Sequence, residues 1–127
     1  MNGDEIVRRA RALLGVRFRA QGRGGGSGLD CIGLAAAAIA REPVRADYRL
    51  RGGSMAALEL GMEAAGLRRV LSRQPGDVLT MRAGPEQLHL GIWTGSGLIH
   101  ADAGLRCAVE RPGEPPWPVL GIWRLED

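Results

Sequence analysis

The sequence contains no lysine; all 17 of its basic residues are arginine. Together with many alanines and 20 glycines, this is the imprint of a GC-rich coding sequence and points to no chemistry. Aromatics are scarce, with three Trp, one Tyr and one Phe. A core must therefore be built mainly from Leu, Ile, Val and Ala. No apolar run has membrane-spanning length; the longest, 32–40, is far too short. The first five residues, Met-Asn-Gly-Asp-Glu, do not form a signal peptide, so the expectation is synthesis and initial retention in the cytoplasm. Cysteine is limited to Cys31 and Cys107, which suits a reducing compartment. One disulfide between them is conceivable; two thiols is the default. The arginines are scattered and not interleaved with aromatics, so the net charge of +3 reads as a solvated surface and not a nucleic-acid platform. The glycine-rich stretch lacks the Lys-Ser/Thr ending of a phosphate loop.

What is present fits one globular domain. A chain of 127 residues can bury a core without metal or disulfide staples, and there is no internal repeat or linker. The spacing predicts a helix over 4–14. Asn2 and Glu5 have capping-box spacing, Ile6, Val7, Ala10, Leu13 and Leu14 share a face, and Gly15 ends it. A short extended piece at 16–20 leads into a glycine loop at 22–28. Asp30 can cap an alanine-rich, nearly uncharged helix over 31–41, buried on most sides and stopped by Pro43. Ser54 caps a third helix to residue 65, with Gly66 as its C-terminal glycine. Beyond Gly66 the pattern becomes strand-like, with candidates at 67–71, 77–82, 88–94, 97–101, 105–110 and 119–125. Helices first and a meander of strands second predict an α+β fold with an antiparallel sheet.

Cys31 stands at the start of the second helix, directly after the glycine loop. A helix N-terminus favours a thiolate through its unpaired backbone N–H groups, and a nearby imidazolium favours it further. Cys107, in a strand beside Ala108 and Val109, reads as a small packed residue. The two histidines of the chain fall in neighbouring strands. Thr94-Gly-Ser-Gly97 suits a two-residue type II′ turn, which pairs Thr94 with Gly97. Counting back, His100 lies opposite Gly91 and His89 opposite Asp102. The two imidazoles are then diagonal neighbours on one face, about 5–8 Å apart at Cβ, with Gly91 leaving room for a ring to turn. A three-residue loop would reverse the parity. A Cys at a helix start and two histidines on one sheet face are the parts of a cysteine hydrolase: Cys31 as nucleophile, His89 as base, His100 orienting the His89 ring. Asp102 is a rival orienter. Zinc is the rival use of a Cys and two His, but the usual ligand spacings are absent, and no cofactor is expected.

At these residues the chain resembles the NlpC-type family of papain-like cell-wall cysteine peptidases. Leu13-Leu-Gly-Val-Arg-Phe-Arg19 resembles the family's entry segment and Gly28-Leu-Asp-Cys-Ile-Gly-Leu34 its nucleophile motif. Gln74-Pro-Gly-Asp-Val-Leu79 resembles the strand leading to the base. Leu88-His-Leu-Gly-Ile-Trp-Thr-Gly95 with Leu98-Ile-His-Ala101 resembles the catalytic hairpin. The resemblance implies Cys31, His89 and His100 as catalytic residues and the Cys helix packed on an antiparallel sheet. It implies peptidoglycan stem peptides as substrate, cut between D-γ-glutamate and a diamino acid. The Asp-Cys-Ile-Gly form is most similar to a phage and gene-transfer-agent branch, which implies phage-like tail proteins as partners and delivery to the wall within such a particle. Ile32 replaces a common Ser. Phe18 replaces a common Tyr, keeping an aromatic wall for substrate and losing a hydroxyl.

The expected mechanism has the Cys31 backbone N–H holding the oxyanion and Asp30 serving as a helix cap at the substrate-facing end. Two other readings stand beside it: a non-catalytic structural or interaction module of a phage-like tail, and a different papain-like amidase or acyltransferase.

Overall fold

A computed structural model describes residues 1–19, 30–41 and 54–126. Among these residues three helices come first: α1 (Gly3–Arg11), α2 (Cys31–Ala38) and α3 (Met55–Ala64). Six strands follow: β1 (Leu67–Val70), β2 (Val78–Gly84), β3 (Gln87–Trp93), β4 (Gly97–Asp102), β5 (Cys107–Pro112) and β6 (Val119–Leu125). The expected α+β order holds. The predicted glycine loop at 22–28 and the stop at Pro43 lie outside the described residues.

The helix starts form for the reasons their sequences suggest. Asn2 Oδ1 accepts from the Glu5 N–H at 2.9 Å, Asp30 Oδ1 from the Gly33 N–H at 2.8 Å, and Ser54 Oγ from the Ala57 N–H at 3.3 Å. Each cap satisfies an N–H that the helix cannot bond internally. The ends fall earlier than expected. After α1 the chain tightens into i→i−3 bonds, Leu13 N–H to the Ala10 carbonyl and Leu14 N–H to the Arg11 carbonyl, before Gly15 turns away at φ +85°. After α2 the Arg41 N–H returns to the Ala36 carbonyl and the Ala40 N–H to the Ala37 carbonyl. This is the paired bonding of a Schellman end, with Ala40 at φ +58° where glycine is usual. That local motif, made by the helix itself, ends α2 before Pro43.

The sheet order is β1-β6-β2-β3-β4-β5, with all pairings antiparallel. The expected meander holds from β2 to β5. β6 departs from it by inserting between β1 and β2. The reason is β2 itself: Val78 is fully buried on one face and Leu79 and Met81 on the other, so the strand needs cover on both faces, and with water excluded its backbone N–H and C=O groups need a strand on each edge. Arg124 of β6 fastens the insertion, with Nε and Nη2 each 2.9 Å from the buried Asp77 carboxylate.

The two faces of the sheet differ. One carries Val78, Leu88, Leu90, Ile92, Ile99, Ala101, Ala108 and Trp123, packed with Ile6 and Ala10 of α1 and Leu34, Ala35 and Ala38 of α2. Each large aliphatic side chain withdrawn here contributes about 1.5–3 kcal/mol. Arg9 locks the two helices together by donating to the Ala37 and Ala38 carbonyls at the end of α2. The other face carries a smaller cluster, Leu79, Met81, Trp93 and Leu98, bordered by Trp117, Val119 and Ile122.

Candidate active site

The β3–β4 hairpin turns where the sequence predicts. The Thr94 N–H donates to the Gly97 carbonyl at 2.8 Å, and Gly95 takes φ +102°. That sign at the first central residue is what the type II′ turn demands. Thr94 Oγ1 accepts from the Gly97 N–H at 2.9 Å, which stiffens the corner. Trp93 then pairs with Leu98 and Ile92 with Ile99, so the parity is that of a two-residue loop. His89 and His100 emerge on one face, opposite Met81 and Val109 respectively.

Their rings meet. His89 Nε2 lies 2.9 Å from His100 Nδ1, with centroids 5.1 Å apart and planes at 85°. One contact departs from expectation. The space over Gly91 is filled by Leu98 and not kept open for an imidazole: a Cβ at Gly91 would come within 2.5 Å of Leu98 Cδ1. The aromatic neighbour of the pair is instead Trp117, whose ring stands edge-to-face to both, 5.0 Å from His89 and 5.3 Å from His100.

Burial dominates the electrostatics of the pair. It pushes His89 down from 6.5 to about 4; the neighbouring His100 lowers it further, and the Asp102 charge opposes both. His100 is also lowered, first by burial, with Asp102 opposing and Arg111 adding to the shift. Both rings are therefore neutral at pH 7. Asp102 acts on them through space, while its Oδ1 accepts from the Leu105 N–H at 2.9 Å in the next turn.

Cys31 is the first residue of α2, capped by Asp30. It is 1% exposed and belongs to the helix-side core cluster. Asp30 is buried as well. Neither cysteine is in a disulfide. Phe18 is half-buried against the same cluster, and its N–H donates to the Arg106 carbonyl at 2.8 Å. It belongs to an extended segment that borders β5, where Arg17 bridges Cys107. Strand alternation puts His89 and His100 on the face of Leu79, Met81, Trp93 and Leu98, whereas α2 packs on the other. A meeting of Cys31 with His89 has to be made at the leading end of α2, not across the flat of the sheet. Among the described residues no cluster of three or more His, Cys, Asp or Glu is arranged to hold a metal ion.

Trp117 is the site residue that sequence reasoning did not single out. Its only local signal is an aromatic between prolines, in Pro115-Pro116-Trp-Pro118.

No protein-family model matches the chain, and no curated protein matches it. Solved structures do. NlpC1 from Trichomonas vaginalis superposes with TM-score 0.70 at 20% identity, over 96% of this chain and 44% of that one. RipB, a peptidoglycan hydrolase of Mycobacterium tuberculosis, gives 0.64 at 22% identity, over 98% and 65%. The NlpC/p60 domain of the peptidoglycan hydrolase SagA gives 0.62 at 22% identity, over 88% and 90%. The chain thus spans less than half of NlpC1 and about two thirds of RipB, and nearly all of the SagA domain. Three helices followed by a six-stranded antiparallel sheet constitute an NlpC/p60-like fold, the architecture of these peptidoglycan hydrolase domains.

Proposed function

We propose that the chain is a single cysteine peptidase domain that hydrolyses peptidoglycan stem peptides at the D-γ-glutamyl–diamino acid bond, with Cys31, His89 and His100 as its catalytic residues. The observation that carries this reading is the His89 Nε2–His100 Nδ1 pairing at 2.9 Å. It occupies one nitrogen of His89 and leaves Nδ1 as the atom for a thiol proton. In the working tautomer, His89 Nε2–H donates to His100 Nδ1 and His89 Nδ1 accepts.

His89 Nδ1 takes the Cys31 thiol proton as the sulfur attacks the amide carbonyl. The tetrahedral oxyanion is held by the Cys31 backbone N–H, one of the unpaired donors of a helix start. His89 returns the proton to the leaving amine, the C–N bond breaks, and a thioester remains on Cys31. Water attacks the thioester with its proton passing to His89, and the acid and the thiol are released. A neutral His89 at pH 7 suits this order, because the base must be unprotonated when attack begins. Phe18 and Asp30 complete the substrate side, the first as an aromatic wall and the second as the cap that aims the helix start. By the same reading the domain is carried to the wall by a phage-like tail assembly and uses no cofactor.

A second reading, a non-catalytic module of such an assembly, is favoured by one observation: Cys31 lies in an apolar cluster at 1% exposure. Incubation with defined stem peptides separates the two. The peptidase releases a new amino terminus at the diamino acid, and Cys31→Ala abolishes it. An activated Cys31 also alkylates with iodoacetamide well below the ordinary thiol range of about 8.5. Full cleavage by Cys31→Ala would sink the peptidase; an inert Cys31 with no cleavage of any stem peptide would establish the module.

A further inference from the structure

We propose that Trp117 is a positioning residue, which holds the His89–His100 pair in its hydrogen-bonded geometry and shields it from water. The inference deepens the reading of the imidazole pair as the site's base and rests on that reading for its catalytic part. The geometry is of three mutually perpendicular rings. Trp117 makes interplanar angles of 76° with His89 and 82° with His100, and the histidines stand at 85° to each other. Edge-to-face packing sets the positive edge of one ring against the negative face of another, which favours angles of this kind. It also resists rotation of either imidazole, because a ring that turns loses both aromatic partners.

The segment that carries Trp117 is suited to holding it still. Pro115, Pro116 and Pro118 each fix a backbone torsion. The Pro118 carbonyl accepts from the Arg82 N–H at 3.1 Å. The Gly113 N–H donates to the Ser96 carbonyl at 2.8 Å, which ties the segment to the hairpin turn. Glu114 is paired with Arg73 at 3.1 Å, and that guanidinium lies 4.7 Å over the Trp93 ring. Trp117 packs on the cluster of Leu79, Met81, Trp93 and Leu98 and is itself only partly buried, so it borders the solvent side of the pair. Among the described residues, Met81 of β2 stands opposite His89 and Val109 of β5 opposite His100, and Asp102, Cys107 and Arg111 lie on the same face by strand alternation. Of the charged groups, Asp102 raises both histidines and Arg111 lowers His100.

The test is a histidine-selective NMR titration of the substrate-free protein, run beside kinetics on stem peptide. In Trp117→Ala, the His89 titration should rise by about one unit or more toward 6.5 as water reaches the ring, and its tautomer signals should average. In Trp117→Phe both should stay near wild type. For cleavage, kcat should fall about tenfold in the alanine variant with KM little changed, and the phenylalanine variant should restore it. Trp117→Leu, which fills space without a ring face, covers the case in which alanine fails to fold; it too should shift His89. A folded alanine or leucine variant with an unmoved His89 titration overturns the proposal. Because the titration needs no turnover, a wild-type protein that cleaves nothing would refute the hydrolase while leaving this positioning role standing on its own readout.

Discussion

The β3–β4 hairpin and the start of α2 supply the two halves of the candidate site, and they are held by different physics. The hairpin is governed by register. One turn, with glycine at φ +102°, decides which face both histidines take, and a slip of one residue would send them into the opposite layer. The helix start is governed by a cap and by packing. Asp30 bonds the Gly33 N–H, and the apolar sides of α2 sink against β3 and β4. Register acts in steps, whereas caps and packing act by degrees. Damage to the hairpin should therefore change what the site is, and damage to the helix how firmly it is held.

The largest effect expected is on cleavage, and it should separate the halves by their stability. Cys31→Ala and His89→Ala should each lower kcat by about 10³-fold or more. Cys31→Ala removes a core atom at 1% exposure and should cost about 1 kcal/mol in urea unfolding. His89→Ala removes an imidazole whose burial is unfavourable to its charged form, so the stability it costs should be largest above pH 6.5, where the buried ring is neutral, and should shrink as the pH falls toward 4. Equal stability changes at pH 5 and pH 8 in the two variants would erase the distinction.

Next in size is Gly91→Ala. The added methyl would meet Leu98 Cδ1 at 2.5 Å and the Ile99 carbonyl oxygen at 3.2 Å. Leu98 is fully buried, so relief requires repacking of the cluster beside the imidazole pair. A loss of about 1–3 kcal/mol follows. A Tm within one degree of wild type would mean that Leu98 yields freely and that the hairpin is less tightly specified than its register suggests. At the other half, Asp30→Ala removes one cap and should cost about 1–2 kcal/mol, with Asp30→Asn recovering most of it.

The same division explains what could be read in advance. Turn and cap chemistry are local, and both were legible: Gly95-Ser96 for the hairpin parity, and Asn2, Asp30 and Ser54 for the helix starts. The strands were placed to within a few residues because alternation is local too. What escaped depends on distant partners. Nothing near 119–125 says that this strand will lie between β1 and β2; that follows from β2 being apolar on both faces and from Arg124 reaching Asp77. Nothing near Gly91 says that Leu98, rather than a ring, fills the space above it. Trp117 approaches the histidines from a segment more than a dozen residues away in sequence, so only the folded sheet shows the three rings together. The face of α2 was legible as buried, but not that the imidazoles would stand on the other side of the strands it covers.

The pH dependence of stability sharpens the comparison further. Both histidines titrate lower folded than unfolded. Between pH 6.5 and about 4 the unfolded chain therefore binds more protons than the folded one, and stability rises with pH across that window. It is fully present above 6.5 and is lost as the pH falls toward 4. His89→Gln, neutral at every pH, should flatten the urea midpoint between pH 5 and pH 7. Asp30→Asn, at the helix half, should leave the slope from these histidines in place.

The smallest effect lies at the far end of α2 and should have the opposite sign. Ala40 closes the helix at φ +58°, a conformation that costs an L-residue about 1–2 kcal/mol. Glycine removes that strain and returns part of the gain through a more flexible unfolded chain. Ala40→Gly should therefore stabilise the protein by roughly 0.5–1 kcal/mol, read as a higher urea midpoint with an unchanged slope. Cleavage should not move, because the substitution touches neither the cap nor the hairpin. If the variant gained stability but lost activity, the helix would be transmitting its C-terminal geometry to Cys31, and the separation between a stepwise hairpin and a graded helix would fail.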